Sequence, residues 1–485
     1  MSGRHGRFGV HDPSDLAGRQ QLQASRTVDL LQLGSLCGGS AINNTHTVDD
    51  RRCVAGRQSL KTLACRVLRT SVLGVASQAQ PDGTDGPEPA AARPWPSSHP
   101  LHHHWRPPPA GVLRPRGKAD RPWSLQRRRI HDVRSDSRGK GEDMRVRVGI
   151  NGMGRIGRDL MRIATDRAGN ASETAIEVVA VNDLAPSETL AHLLRHDSTY
   201  GAWSHTVEVA RGRLDVDGHE IRVLQQPDPE DLPWEDLGVD VVVEATGRFR
   251  TRAAAAAHLR AGARKVVITA PGTDVDATIV MGINQDTYES LRHDVISNAS
   301  CTTNCAAPMA QVLDACFGIE SGLLTTVHSY TADQNLLDGP HKDLRRARSA
   351  AVNIIPTSTG AAKAVGLVLP QLAGRLDGVA VRVPVVDASL VDLTVQLTEP
   401  ATAAQVNAAF HTAADAHLKG ILRCTEEPVV SHDVIGENAS CLLDTGLTRV
   451  AGRMVKVFGW YDNEWGYAQR TVDLVEMVAR LLPAR

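Results

Sequence analysis

A chain of 485 residues is long enough for two or three domains with ample core. Its formal net charge of -1 hides an asymmetry: residues 1–143 hold 22 Lys and Arg against 13 Asp and Glu, and the remainder 32 against 42. No run of about 18 apolar residues offers a membrane-spanning helix. The first residues also lack the basic start, apolar stretch and cleavage site of a secretory signal, so neither membrane nor export is expected.

Residues 1–143 read poorly as a folded domain. From Gln80 to Arg129 the chain is rich in Pro, Arg, His and Gly, with Pro107-Pro108-Pro109 and His102-His103-His104 inside it. Such a segment buries too little apolar surface to offset its ordering entropy. The histidine run reads first as a solvated polar tract and only second as a metal site. A basic balance attracts nucleic acid, but no helical or aromatic-interleaved basic motif supports such a partner, and none is expected. Two explanations stand: a disordered extension, or translation from a start codon placed too early. Met144, immediately before the first clear strand, favours the second.

From Met144 the character changes. Residues 145–150 alternate and then turn apolar, as a buried strand does. Gly152-Met153-Gly154-Arg155-Ile156-Gly157 follows and opens a helix expected over 159–168. In such a turn Gly152 permits the sharp bend, Gly154 lets backbone approach a pyrophosphate, and Gly157 lets helix and strand pack closely. A second strand, 176–182, ends at Asp183, whose carboxylate can accept from ribose hydroxyls and repel a 2′-phosphate. The bland alternative is an ordinary strand-to-helix turn with a surface Asp. Further strands are expected at 239–244, 265–269 and 277–281, with an Ala-rich helix at 252–261. This alternation implies a Rossmann-type, doubly wound parallel sheet. Ala245-Thr246-Gly247-Arg248-Phe249 sits at the carboxyl end of one strand, where such sheets bind ligands, though alone it reads as an ordinary loop.

Ser297-Asn298-Ala299-Ser300-Cys301-Thr302-Thr303-Asn304-Cys305 is the most informative segment. Small hydroxylated and amide residues cap helices, and a thiol at a helix N-terminus is expected to have its pKa lowered by the dipole. Cys305, one turn deeper, reads as a packed small hydrophobe. The other body cysteines, Cys316, Cys424 and Cys441, show no metal spacing, so reduced thiols in a cytosolic protein are the simpler reading. His328 is usually a packing residue in such a strand, but with a reactive Cys it becomes a candidate base. His341-Lys342-Asp343-Leu344-Arg345-Arg346-Ala347-Arg348 is either a solvated face or an anion site, with the hydroxyls of Thr357-Ser358-Thr359-Gly360 beside it. Strands at 323–330, 379–386, 390–399 and 455–460, with helices at 403–416 and 472–482, indicate a second domain of α+β type. The last helix is expected to pack back on the first domain.

Together these segments resemble the phosphorylating, NAD-type glyceraldehyde-3-phosphate dehydrogenase family over residues 144–485 and nowhere in 1–143. The motifs carrying the resemblance are Asn151 to Gly157, Ser297 to Cys305, His328-Ser329-Tyr330-Thr331, His341 to Arg348, Gly360-Ala361-Ala362-Lys363-Ala364-Val365 and Trp460-Tyr461-Asp462-Asn463-Glu464. The resemblance implies an NAD-binding domain over 144–300, a catalytic domain over 301–465 and a returning helix over 466–485. It implies oxidation of D-glyceraldehyde 3-phosphate to 1,3-bisphosphoglycerate. Cys301 adds to the aldehyde, His328 keeps it as thiolate and then acts as base, and inorganic phosphate cleaves the thioester. Thr331, Asp333 and Arg382 would hold the substrate phosphate; Ser300, Thr302, Arg346, Thr359 and Gly360 the attacking one. Asn151, Gly152, Gly154, Arg155, Ile156, Asp183, Thr246, Gly247 and Thr269 would line the cofactor site. Asn463 would hold the nicotinamide amide, with Tyr467 beside it. No metal is implied. The segment 329–352 resembles the family's subunit-linking loop, which implies a cytoplasmic homotetramer.

Two departures stand out. Gly339 replaces the Leu usual before Pro340 in NAD-preferring relatives, which loosens a wall beside the adenosine ribose and admits some NADP use. Val385-Val386-Asp387-Ala388 replaces a Thr-Pro-Asn-Val-type run. The rivals are a sister enzyme oxidising erythrose 4-phosphate and a catalytically idle binding protein. The intact Arg346 and Thr359 region opposes the first, and Cys301, His328, Arg382 and Asn463 oppose the second.

Overall fold

The computed structural model describes residues 145–169 and 176–483; the readings for 1–143 lie outside them. The first sheet uses β1 (Val146–Asn151), β2 (Ile176–Asn182), β3 (Val207–Ala210), β4 (Arg213–Val216), β5 (His219–Leu224), β6 (Val241–Glu244), β7 (Lys265–Ile268), β8 (Ala277–Thr278) and β9 (Val295–Ser297). They lie in the order β8-β9-β7-β6-β1-β2-β5-β4-β3, the first seven parallel and the last two added by antiparallel pairing. Val148, Ile150, Val181, Val241 and Val243 are fully buried, because crossover helices cover both faces of a parallel sheet. These helices include α1 (Arg155–Gly169), α2 (Ser187–Arg195) and α3 (Arg252–Arg260).

The chain reverses its direction of travel across the sheet between β1 and β6, so the turn after β1 and the loop after β6 flank one crevice. Two glycines make that crevice. Gly152 has φ +99°, and a Cβ there would lie 2.8 Å from the Thr246 amide. A Cβ on Gly157 would lie 2.0 Å from the Gly152 carbonyl oxygen, so only glycine lets α1 sit this close to β1.

The second sheet comprises β10 (Ile319–Ser329), β11 (Ile355–Ser358), β12 (Leu376–Val383), β13 (Ser389–Leu397), β14 (Leu422–Thr425), β15 (Cys441–Ala451) and β16 (Met454–Tyr461), in the order β11-β12-β10-β13-β16-β15-β14. It is mixed: β10 with β12 and β14 with β15 are parallel, and the other pairs antiparallel. On β13, Ser389, Val391, Leu393, Val395 and Leu397 point inward and the residues between them are part-exposed. That inner face packs on α4 (Cys301–Phe317), α5 (Ala361–Val368) and α6 (Ala403–Asp415), with Met309, Leu313, Val365 and Phe410 in one cluster. Each such side chain contributes about 1.5–3 kcal/mol by leaving water. The final helix, α7 (Trp465–Arg480), buries Val472, Val475 and Val478 in the same cluster as Leu160 and Ile163 of α1.

Element boundaries moved at capped ends. α1 begins at Arg155, not 159, because the glycine-rich turn runs straight into the helix. α7 begins at Trp465, not 472, because Asp462 accepts from the amides of Glu464 (2.9 Å) and Trp465 (2.7 Å). The strand expected over 277–281 shrinks to Ala277–Thr278.

Candidate active site

At the nucleotide end, Gly154 faces open space: a Cβ there would meet nothing within 4 Å. The first-turn amides of α1 have no helical partner and suit an anion. Asp183 accepts from the Met153 amide (2.9 Å) and the Ala185 amide (3.0 Å), one on each oxygen. Each oxygen keeps a lone pair for a ribose hydroxyl. Thr246 gives its amide to Glu244 (2.9 Å), Gly247 takes φ +69°, and the Thr269 hydroxyl meets the Glu244 carbonyl at 3.2 Å. Asn151 donates to Glu244 at 2.6 Å. Ile156 lies in the first turn of α1. The guanidinium of Arg155 pairs with Asp197 and Glu464, which leaves its backbone to face a pyrophosphate.

Glu244 anchors this end, and the sequence reading missed it. Trp234 Nε1 donates to His258 Nδ1 at 3.0 Å, so His258 carries its proton on Nε2 and donates it to Glu244 at 3.0 Å. All three are buried. A lone Glu at a strand end and a His in an Ala-rich helix carry no local signal, because their partners are distant in sequence.

At the thiol end, Ala299 holds φ +55°, a conformation costing about 1–3 kcal/mol for a residue with a side chain. Its surroundings hold it there. Tyr467 donates to the Ala299 carbonyl at 2.9 Å, and Asn304 to the carbonyls of Asn298 (2.9 Å) and Ser300 (3.0 Å). Ser300 caps α4, accepting from the Thr303 amide at 3.0 Å. Cys301 thereby becomes the first residue of α4. Its sulfur lies 3.5 Å from His328 Nε2. His328 Nδ1 lies 2.8 Å from the Ser329 carbonyl and 3.1 Å from Arg382 Nη1. The Nη1 protons have the Ser329 carbonyl and Thr331 hydroxyl as acceptors, so Nδ1 carries the proton toward Ser329 and Nε2 is left to accept from the thiol. Thr302 and Thr326 meet the Tyr461 hydroxyl at 2.9 and 2.8 Å, and Tyr461 stands edge-on to His328.

The parallel register of β10 and β12 pairs His328 with Arg382, and β11 continues the row with Ile355. Arg382 Nη1 donates to the Ser329 carbonyl and the Thr331 hydroxyl, both at 3.0 Å, while its buried Nε has no partner among the described residues. Arg346 donates to the Thr357 hydroxyl at 3.0 Å and pairs with Asp333, which also takes the Thr331 hydroxyl. Thr359 and Gly360 lead into α5, where the Thr359 hydroxyl accepts from the Ala361 amide at 3.2 Å. The basic run thus splits: Arg346 faces the site, whereas Arg348 pairs with Asp338 on the exposed surface.

Burial pushes the Cys301 thiol up, to about 11, against the opposing pull of Arg382 and the Thr302 amide. It also pushes the His328 imidazole down, to about 3, with Arg382 adding to the shift. Part of Cys301 remains open, which tempers its desolvation. Both directions run against the lowered thiol pKa expected from a helix N-terminus alone.

A base aimed at a thiol is useful where sulfur must add to a carbonyl. The adjoining switch point offers a seat for a dinucleotide oxidant. Fold and site together define a cysteine-dependent, nicotinamide-linked dehydrogenase of Rossmann type. Comparison with known proteins narrows this. The family model described as the glyceraldehyde 3-phosphate dehydrogenase NAD binding domain matches residues 146–252, and the model of the C-terminal domain matches residues 300–463. The chain is 56% identical over 341 residues to the glyceraldehyde-3-phosphate dehydrogenase of Streptomyces coelicolor, covering 70% of this chain and all of that protein. It is 56% identical over 337 residues to that of Geobacillus stearothermophilus (69% of this chain, 99% of that one) and 54% identical over 343 residues to that of Mycobacterium avium (70% and 100%). The chain belongs to the glyceraldehyde-3-phosphate dehydrogenase family and is an NAD-dependent oxidoreductase.

Proposed function

We propose that this chain catalyses the phosphorylating oxidation of glyceraldehyde 3-phosphate, with Cys301 as nucleophile and His328 as its base. The observation that carries this is the 3.5 Å approach of Cys301 Sγ to His328 Nε2. The thiol proton passes to Nε2 as sulfur adds to the aldehyde carbon. Returned to the new oxygen, it completes a hemithioacetal, and Nε2 is again free to accept the hydroxyl proton in the oxidation step. NAD, when bound, supplies the two-electron acceptor, and a thioester remains on Cys301. Inorganic phosphate displaces the sulfur, releasing the acyl phosphate and a thiolate that regains its proton.

The unpartnered Nε of Arg382 and the Thr331 hydroxyl suit the substrate phosphate. Asp333 can only accept while ionised, so it contributes by holding Thr331 and Arg346. Arg346, with Ser300, Thr302, Thr359 and Gly360, suits the attacking phosphate. The open crevice at Gly154 and the remaining lone pairs of Asp183 fit NAD. We divide the chain accordingly: 144–300 binds NAD, 301–465 carries catalysis and 466–485 returns to the first domain. Exposed Leu336, Leu337, Leu344, Val352 and Ile354 on the loop, and Leu323, Val379 and Met454 on the outer sheet face, support a homotetramer, tested by light scattering. The five cysteines among the described residues are all free thiols, which supports a reducing, cytoplasmic setting that fractionation tests.

The deciding experiment is NADH formation from glyceraldehyde 3-phosphate with and without inorganic phosphate, repeated with NADP to weigh Gly339. Strong phosphate dependence with NAD is expected. Equal rates without phosphate would overturn the phosphorylating reading.

A further inference from the structure

Asn463 presents an unusual bonding pattern. Its side-chain oxygen accepts from two hydroxyls, Ser389 at 2.6 Å and Ser329 at 2.9 Å. Both serines and the asparagine are buried, at 2%, 0% and 4% exposure. Ser389 is fixed in turn, because its oxygen accepts from the Ser329 amide at 3.1 Å. The turn before it is also set. Ala388 holds φ +66° and gives its amide to Asp387 at 2.7 Å. A planar amide has one acceptor end and one donor end. Two donors on the oxygen occupy both of its lone pairs, so the NH2 group must face the other way, free for a ligand. Were the amide turned over, the NH2 would lie between the two hydroxyls and the carbonyl oxygen would face the ligand.

We propose that Ser329 and Ser389 are positioning residues that lock the amide of Asn463 in one orientation, so that it presents only a donor to the carboxamide oxygen of the nicotinamide. This rests on the reading that Asn463 meets the nicotinamide. Ser329 thereby links two functions: its carbonyl receives the His328 Nδ1 proton, and its hydroxyl sets the cofactor's ring. The base and the orientation of the oxidant are referenced to one residue on β10. Neither serine touches the reacting atoms.

The test compares NAD with ADP-ribose, which lacks the nicotinamide, by calorimetry on the full-length protein. Wild type should bind NAD more tightly than ADP-ribose, and Asn463→Ala should remove that advantage. If Asn463→Ala leaves it intact, Asn463 does not meet the nicotinamide, and the underlying reading fails. If it removes the advantage, the serines are judged directly. Ser389→Ala, and Ser329→Ala more weakly, should cut the advantage about tenfold, the worth of roughly one hydrogen bond, while ADP-ribose binding stays unchanged and reports an intact fold. Ser389→Thr, which keeps the hydroxyl, should restore it. A second readout is the face of the nicotinamide that takes deuterium from a deuterated aldehyde: the alanine variants should label both faces and wild type only one. Serine variants that bind NAD like wild type and label a single face would overturn the proposal.

Discussion

In the mechanism we propose, Cys301 and His328 divide one task between them, and their burial sets its terms. Sulfur is the group that adds to the aldehyde in that mechanism, so Cys301→Ser should abolish oxidation while calorimetry still detects NAD binding. A variant with normal turnover would remove Cys301 from the mechanism. Arg382 acts on the same pair from the next strand: its charge pulls the thiol down. Arg382→Leu should move the alkylation profile of Cys301 by iodoacetamide to higher pH, slowing the reaction near neutrality; an unmoved profile would sever that coupling. At this scale the sequence was highly legible where residues sit within a few positions of one another, as at 151–157 and 297–305. It was opaque for Glu244 and its partners Trp234 and His258, and for Ser329 and Ser389 around Asn463. Their meaning depends on contacts that no local spacing encodes.

The elements explain how such contacts are assembled. The strained turn at Ala299 is held by α7 through Tyr467 and by α4 through Asn304, so the position of Cys301 depends on a helix more than a hundred and sixty residues further along the chain. Tyr467→Phe loses a buried hydrogen bond and leaves a carbonyl unpaired, which should cost about 1–3 kcal/mol. It should lower kcat more than it raises KM, as measured by thermal melting and steady-state kinetics; wild-type melting would show that the turn holds without it. The periodicity of β13 and the apolar run of β1 made their strands readable. The short strands β3, β4 and β5 and the helix α2 escaped notice because their apolar residues are few and interrupted by charge.

Across the whole molecule, a buried acidic seam joins the two sheets. Tyr200 meets both Asp387 (2.8 Å) and Asp462 (3.1 Å), while Arg155 pairs with Asp197 and Glu464. Burial, reinforced by the charge of Asp387, pushes Asp462 well above the usual carboxylate range. Burial likewise pushes Glu464 up to about 7, against the pull of Arg155. These raised values mean that the folded state keeps protons the unfolded state has already lost. Stability should therefore fall as pH rises from the ordinary carboxylate range to about 8. Asp387→Asn removes one charge and should flatten that fall, compared by melting at pH 5 and pH 8; an equal slope would acquit the seam. The fold class was readable from the alternation of elements, but this seam was not, because it gathers residues from four separate stretches of chain.

The return of α7 into the core of the first sheet has a consequence for synthesis. Val472, Val475 and Val478 complete a cluster begun at Val148, more than three hundred residues earlier. The nucleotide end therefore cannot close until α7 has been made and has left the ribosome, and its apolar face stays uncovered until then. Nascent chains arrested before Trp465 should be open to protease across residues 145–297 and should need chaperone cover, whereas release of the last helix should close the first sheet and the site together.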